Sequence, residues 1–110
     1  MAYQHKQLAA GRWQGLDFLE QMANIGSEVR RTINWKNKGH KEYSRLAFER
    51  ALELLDLTVA DPKNKKRLKE LLRLREVLAD FFAFNNIYKS TDQSFLNYFY
   101  GFNYACRARL

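Results

Sequence analysis

Apolar residues in this chain recur at three- and four-residue steps, and no stretch shows the strict alternation of a half-buried strand. Such spacing lays one apolar stripe along each of a series of helices. A stripe must be covered, so the chain is committed to packing helix against helix. Punctuation is sparse: Pro62 is the only proline, and four of the five glycines, Gly11, Gly15, Gly26 and Gly39, fall in the first forty residues.

Four helices are predicted. The first runs from Leu16 to Lys38, with Phe18, Met22, Ile25, Val29 and Ile33 on its apolar stripe. Gly26 lies in mid-helix, where it costs about 1 kcal/mol against alanine; a close helix crossing is the usual reason. Gly39, behind Lys36 and Lys38, suits the helix C-terminus. The second helix runs from Lys41 to Ala60, with Tyr43, Ala47, Ala51, Leu54, Leu55 and Thr58 inward, and Asp61-Pro62 ends it. The third runs from Lys65 to Phe84, with Leu68, Leu71, Leu72, Val77, Leu78, Phe81 and Phe82 as a wide apolar sector and Asn85-Asn86 as its close. The fourth runs from Thr91 to Arg107, behind a Ser90–Gln93 capping box. Short connections make this an all-α, antiparallel up-down-up-down four-helix bundle over residues 15–110. Residues 1–14 form an N-terminal arm, with Trp13 as a lid on the bundle. At 110 residues this is one domain, burying roughly 65% of its unfolded surface, a core that association would help.

Ten aromatic residues fall between Phe81 and Tyr104. On the fourth helix they point in nearly every direction, and a helix apolar all round is usually buried on several sides. One side faces the sibling helices. The other is expected to face another subunit, through Trp13, Phe95, Phe99, Tyr100, Phe102 and Tyr104.

The net charge is +7, and it is clustered. Residues 30–41 hold five bases and no acid, residues 62–75 hold seven bases against Glu70, and residues 42–61 hold five acids against two bases. A basic stripe along the bundle suits a polyanionic backbone. Arg30, Arg31, Lys36, Lys38, Lys65, Lys66, Lys69 and Arg73 are the candidate phosphate contacts. Nothing resembles a base-reading motif, so recognition by shape and backbone is expected.

Catalytic chemistry has no comparable support. His5, His40 and Cys106 are far apart and show no metal-ligand spacing. There is no Gly-rich phosphate loop and no nucleophile elbow. Acid pairs such as Glu49–Glu53 stand beside Arg45 and Arg50, as in a solvated salt-bridge ladder. Helical ribonucleases of the HEPN type carry an arginine a few residues before a histidine, whereas Arg30 and Arg31 precede His40 by ten and nine positions. Asp61-Pro62-Lys63-Asn64 with Gly39 to Tyr43 looks like one tetratricopeptide repeat, but such repeats need three stacked copies. No catalytic residue, metal or cofactor is expected. A single cysteine, no apolar leader in Met1 to Arg12, and no membrane-spanning apolar run point to the cytoplasm and away from a membrane.

The segment from Lys38 to Leu57 carries a glycine-containing basic turn, Lys41-Glu42-Tyr43, Arg45, Ala51-Leu52 and Leu54-Leu55-Asp56-Leu57. Before it, Gln21 to Ile33 holds the paired basic step Arg30-Arg31. These features resemble the four-helix-bundle proteins encoded in 23S ribosomal RNA intervening sequences, a group that includes the accessory variability determinants of diversity-generating retroelements. The turn has Gly39 where the family often has several glycines, and the segment from Phe81 onward lies outside the resemblance. The resemblance implies a short basic bundle assembled into a ring, typically a pentamer, which binds nucleic acid (structured RNA, or RNA and DNA) and a reverse transcriptase. It also implies Arg30, Arg31, Lys66, Lys69 and Arg73 as phosphate contacts. The leading expectation is a non-enzymatic nucleic-acid-binding accessory protein. The alternatives are a helical protein–protein adaptor, or a degenerate HEPN-like ribonuclease or toxin–antitoxin component.

Overall fold

In the computed structural model, which describes residues 11–108, helix α1 (Phe18–Asn37) begins at a reciprocal cap. The Asp17 carboxylate accepts the Glu20 N–H at 2.9 Å, and the Glu20 carboxylate accepts the Asp17 N–H at 3.3 Å. Two orphan donors of the first turn are thereby satisfied. The helix ends where Gly39 adopts φ +79°, a left-handed conformation that glycine reaches without strain. Helix α2 (Lys41–Ala60) follows at once.

The next segment departs from expectation. Pro62–Arg67 winds as a 3-10 turn, and α3 (Leu68–Ala83) starts three residues later than the basic run suggests. The cause is local. Asp61 accepts the Lys63 N–H through its side chain and the Asn64 N–H through its carbonyl. The Asn64 amide is meanwhile buried, donating to Gln21 Oε1 and the Thr58 carbonyl. Those bonds hold the tighter i→i+3 winding.

Helix α4 (Asp92–Ala108) also starts one residue later than expected. Its cap is Thr91–Ser94, not Ser90–Gln93: the Thr91 hydroxyl accepts the Ser94 N–H, and the Ser94 hydroxyl accepts the Thr91 N–H. Ser90 is unavailable because its N–H and carbonyl are both held by the Asn86 side chain. Gln93 donates instead to Asn97. The loop before α4 is built around Asp80, whose carboxylate accepts the N–H groups of Ile87 and Tyr88 and whose carbonyl accepts those of Phe84 and Asn86.

The described residues are thus all-α, with four helices and no strand. Helix α1 is central, packing on α2 and α4, while α2 also packs on α3. Neighbours run antiparallel. Ser44 donates to the Thr32 carbonyl and Arg50 reaches Glu28 across α1–α2. Lys36 pairs with Asp92 while Phe18 meets Phe102 at 5.8 Å across α1–α4. Phe82 touches Phe48 on α2 at 5.3 Å and Phe95 on α4 at 5.9 Å.

The core takes Met22, Ile25, Val29 and Ile33 from α1, Leu54 and Leu55 from α2, and Phe95 and Phe99 from α4. On α3 it takes Leu71, Leu74 and Leu78; Leu68 and Leu72, expected inside, are exposed. Tyr43 is exposed as well, resting on Trp35 at 4.9 Å. At Gly26 the α1–α4 crossing is as close as its position suggests: a Cβ there would lie 2.8 Å from Phe99 Cβ. Residues 1–10 of the expected arm, and 109–110 of the expected bundle, lie outside the described residues. Trp13 is core, 2% exposed, and its indole N–H donates to the Thr58 hydroxyl at 2.9 Å.

Around Trp13 lies a buried polar network that the apolar pattern does not show. The Gln21 amide, fully buried on α1, donates to the Trp13 carbonyl and to Asp61, and its oxygen accepts from Asn64. The Trp13–Gly15 turn, α1, the end of α2 and the 3-10 turn before α3 are tied together by one side chain.

Candidate nucleic-acid interface

The sequence-predicted basic residues do not form one stripe. Arg30 and Arg31 line an open cleft of about 610 Å³ between α1 and α4. Arg73 lines another, of about 350 Å³, between α3 and α4. Helix α4 runs between the two.

Several cations are committed within the fold. Lys36 pairs with Asp92 and lies 4.5 Å from the centre of the Phe81 ring. Lys38 covers Trp35, Arg67 covers Phe18, and Arg73 covers Tyr88. Arg31 pairs with Glu28, a buried carboxylate that also takes Arg50 from α2. Lys63 pairs with Asp61. Arg30, Lys65, Lys66 and Lys69 are exposed and form no ion pair among the described residues.

The α1–α4 side is the more developed surface. The cleft holding Arg30 and Arg31 is joined by a second, of about 350 Å³, which shares Arg30 and Asn34 with it. Helix periodicity explains the lining. On α1, Ser27, Arg30, Arg31 and Asn34 stand at three- and four-residue steps on one side of the buried stripe. On α4, Asn97, Tyr100, Asn103 and Arg107 do the same beside Phe95 and Phe99. Among the described residues three arginines line this groove, one of them, Arg31, paired with Glu28, and no acidic residue lines it. In water-filled surroundings such a concentration of like charge raises the local concentration of anions. Arg107 and the α4 amides were missed at the sequence level. Their signal is the three- and four-residue recurrence of Gln93, Asn97, Tyr100, Asn103 and Arg107 on a helix otherwise read only for its aromatics.

The α3–α4 cleft is different in kind. Leu74, Val77, Phe95 and Tyr98 line it, with Glu70 beside Arg73. The Tyr98 hydroxyl is buried with no hydrogen-bond partner among the described residues. Burial, helped by the negative charge of Glu70, pushes its pKa up to about 12.

The expected subunit-interface residues also divide. Trp13, Phe95 and Phe99 are 2–4% exposed within the single chain, so they have almost no surface left to give a partner. That corrects the expectation for those three: the chain's own helices cover the rings. Phe102 is half-buried against Phe18 and Tyr98. Tyr100 and Tyr104 alone remain outward. The acidic face of α2 is a salt-bridge ladder, with Arg45 between Glu42 and Glu49, and Asp56 joined to Arg75 of α3. His40 packs its ring on Trp35 and Tyr43. Among the described residues no helix is long and apolar enough to cross a membrane.

Comparison of the chain with protein-family models, with curated proteins and with solved structures finds no match.

Proposed function

We propose that this chain is a non-enzymatic nucleic-acid-binding accessory protein of the cytoplasm, whose principal contact surface is the α1–α4 groove. The observation that supports it is the groove's lining: Arg30 and Arg107 stand there with amide side chains and with Arg31, itself paired to Glu28, and among the described residues no carboxylate lines it. Lys65 and Lys66 in the 3-10 turn and Lys69 in the first turn of α3 add a second, more exposed basic patch. The resemblance to retroelement accessory proteins supplies the context, a reverse transcriptase as protein partner and a ring of subunits.

Charge reversal tests the assignment. Arg30→Glu with Arg107→Glu should remove most affinity for RNA or DNA. Losing two phosphate contacts should also flatten the salt dependence by about two units of log–log slope. Lys66→Glu with Arg73→Glu should weaken binding less. Flat titrations of the unmodified protein at low salt, against a structured RNA, a duplex DNA and a single strand, would sink the reading.

A second reading, contact with protein, is favoured by one feature. The Asp80-braced loop holds Phe84 and Ile87 outward, 74% and 77% exposed. A loop so well hydrogen-bonded presents these side chains in fixed positions, as a self-association or adaptor surface would. Light scattering of the unmodified chain and of Phe84→Ser with Ile87→Ser decides the self-association form. A concentration-independent monomer mass for both would exclude it.

A further inference from the structure

The α1–α4 groove contains more than a phosphate backbone requires. Tyr100 lines it, and Tyr104, one helical turn on, stands beside it with ring centroids 6.3 Å apart and planes 29° from parallel. Both rings are more than half exposed, at 55% and 61%. The Asn97 amide on the same side of α4 offers its N–H donors, its oxygen already accepting from Gln93.

Cations and amide N–H groups both hold phosphates, but a pair of exposed flat rings beside such amides exceeds that need. A base uses both, since it has a π-face to stack and an edge to hydrogen-bond. In a duplex those faces are already stacked and the edges already paired. Resting on the nucleic-acid reading above, we infer that the groove takes single-stranded RNA or DNA. Bases stack on Tyr100 and Tyr104, Asn97 meets base edges, and Arg30 and Arg107 follow the backbone. Any base can stack, so the site selects strandedness and not sequence.

The test uses the full chain, a labelled oligo(dT) strand of about 12 nucleotides, within the range such grooves cover, and the duplex of the same length. The single strand should bind at least about tenfold tighter than the duplex. Tyr100→Ala should weaken the single strand about tenfold and leave the duplex unchanged, while Tyr100→Phe, which keeps the ring, should retain affinity. Arg30→Ala should weaken both. Tyr100 is exposed, and an unchanged thermal melt checks that each variant is folded. If Arg30→Ala weakens binding but the duplex binds as tightly as the strand, or Tyr100→Ala changes nothing, the stacking inference is overturned and the nucleic-acid reading stands. If neither probe binds, both fall.

Discussion

Gly26→Ala and Gly101→Ala are the same chemical change in two helix interiors, and the structure assigns them opposite signs. Each replaces the least helix-favouring residue after proline by the most favouring, a gain of about 1 kcal/mol. At Gly101 the new methyl meets nothing within 4 Å, so the gain is kept. At Gly26 it would lie 2.8 Å from Phe99 Cβ and 3.0 Å from Phe99 Cγ and Cδ1. Carbon pairs settle at about 3.5–4.0 Å, so the gap is short by roughly 1 Å. Phe99 cannot yield by changing rotamer, because its Cβ is fixed to the α4 backbone. Helix α4 must move, and overpacking of this kind costs about 1–3 kcal/mol. After the propensity gain, Gly26→Ala should lose about 1 kcal/mol, lowering Tm by about 4–8 °C, while Gly101→Ala should raise it by a similar amount. Urea unfolding of both variants, with unchanged m-values, gives the comparison. Equal stabilisation by the two substitutions would refute the close α1–α4 crossing.

Tyr98→Phe removes a buried hydroxyl that has no hydrogen-bond partner among the described residues and should stabilise the protein by about 1 kcal/mol. The Tyr98 pKa is raised on folding. Its share of stability is therefore complete below the ordinary tyrosine pKa of about 10 and lost as pH climbs towards about 12. Alkaline unfolding of Tyr98→Phe should lack that component. Gln21→Ala should cost about 3 kcal/mol in chemical denaturation, since it leaves Asn64, Asp61 and the Trp13 carbonyl short of partners and opens a cavity; a loss under about 1 kcal/mol would show that the network contributes little. Asp61 titrates the other way from Tyr98. Burial raises its pKa, but hydrogen bonds from Lys63 and Gln21 outweigh burial and hold the carboxyl below its usual range. Its contribution is therefore present above about pH 4 and lost as pH falls through the depressed value. Asp61→Asn should be less stable at neutral pH and show a shallower acid-side decline.

Helix α1 was legible because its stripe is simple: Met22, Ile25, Val29 and Ile33 have no competing apolar face. Helix α4 was legible as a helix but not as a surface. Six of its seventeen residues are aromatic, so periodicity offered no single inward direction. The burial of Phe95 and Phe99 and the exposure of Tyr100 and Tyr104 were chosen by where Gly26 lets α1 approach. On α3, Leu71, Leu72 and Leu74 are chemically alike, and only the position of α2 and α4 decides that Leu72 is the one left out.

The sequence by itself determined the helices, one clear ending at Pro62 and a clustered positive charge, because propensity, chain breaks and charge are properties of neighbours along the chain. It did not determine which charges remain available. Lys36, Arg31 and Arg73 are engaged by Asp92, Glu28 and Tyr88, while Arg30 joins Arg107, a residue remote in sequence, in one groove. Nor did it reveal the Trp13–Gln21–Thr58–Asp61–Asn64 network. Such a network gains its stability from partners far apart in the chain, and tertiary packing alone brings them within hydrogen-bonding distance.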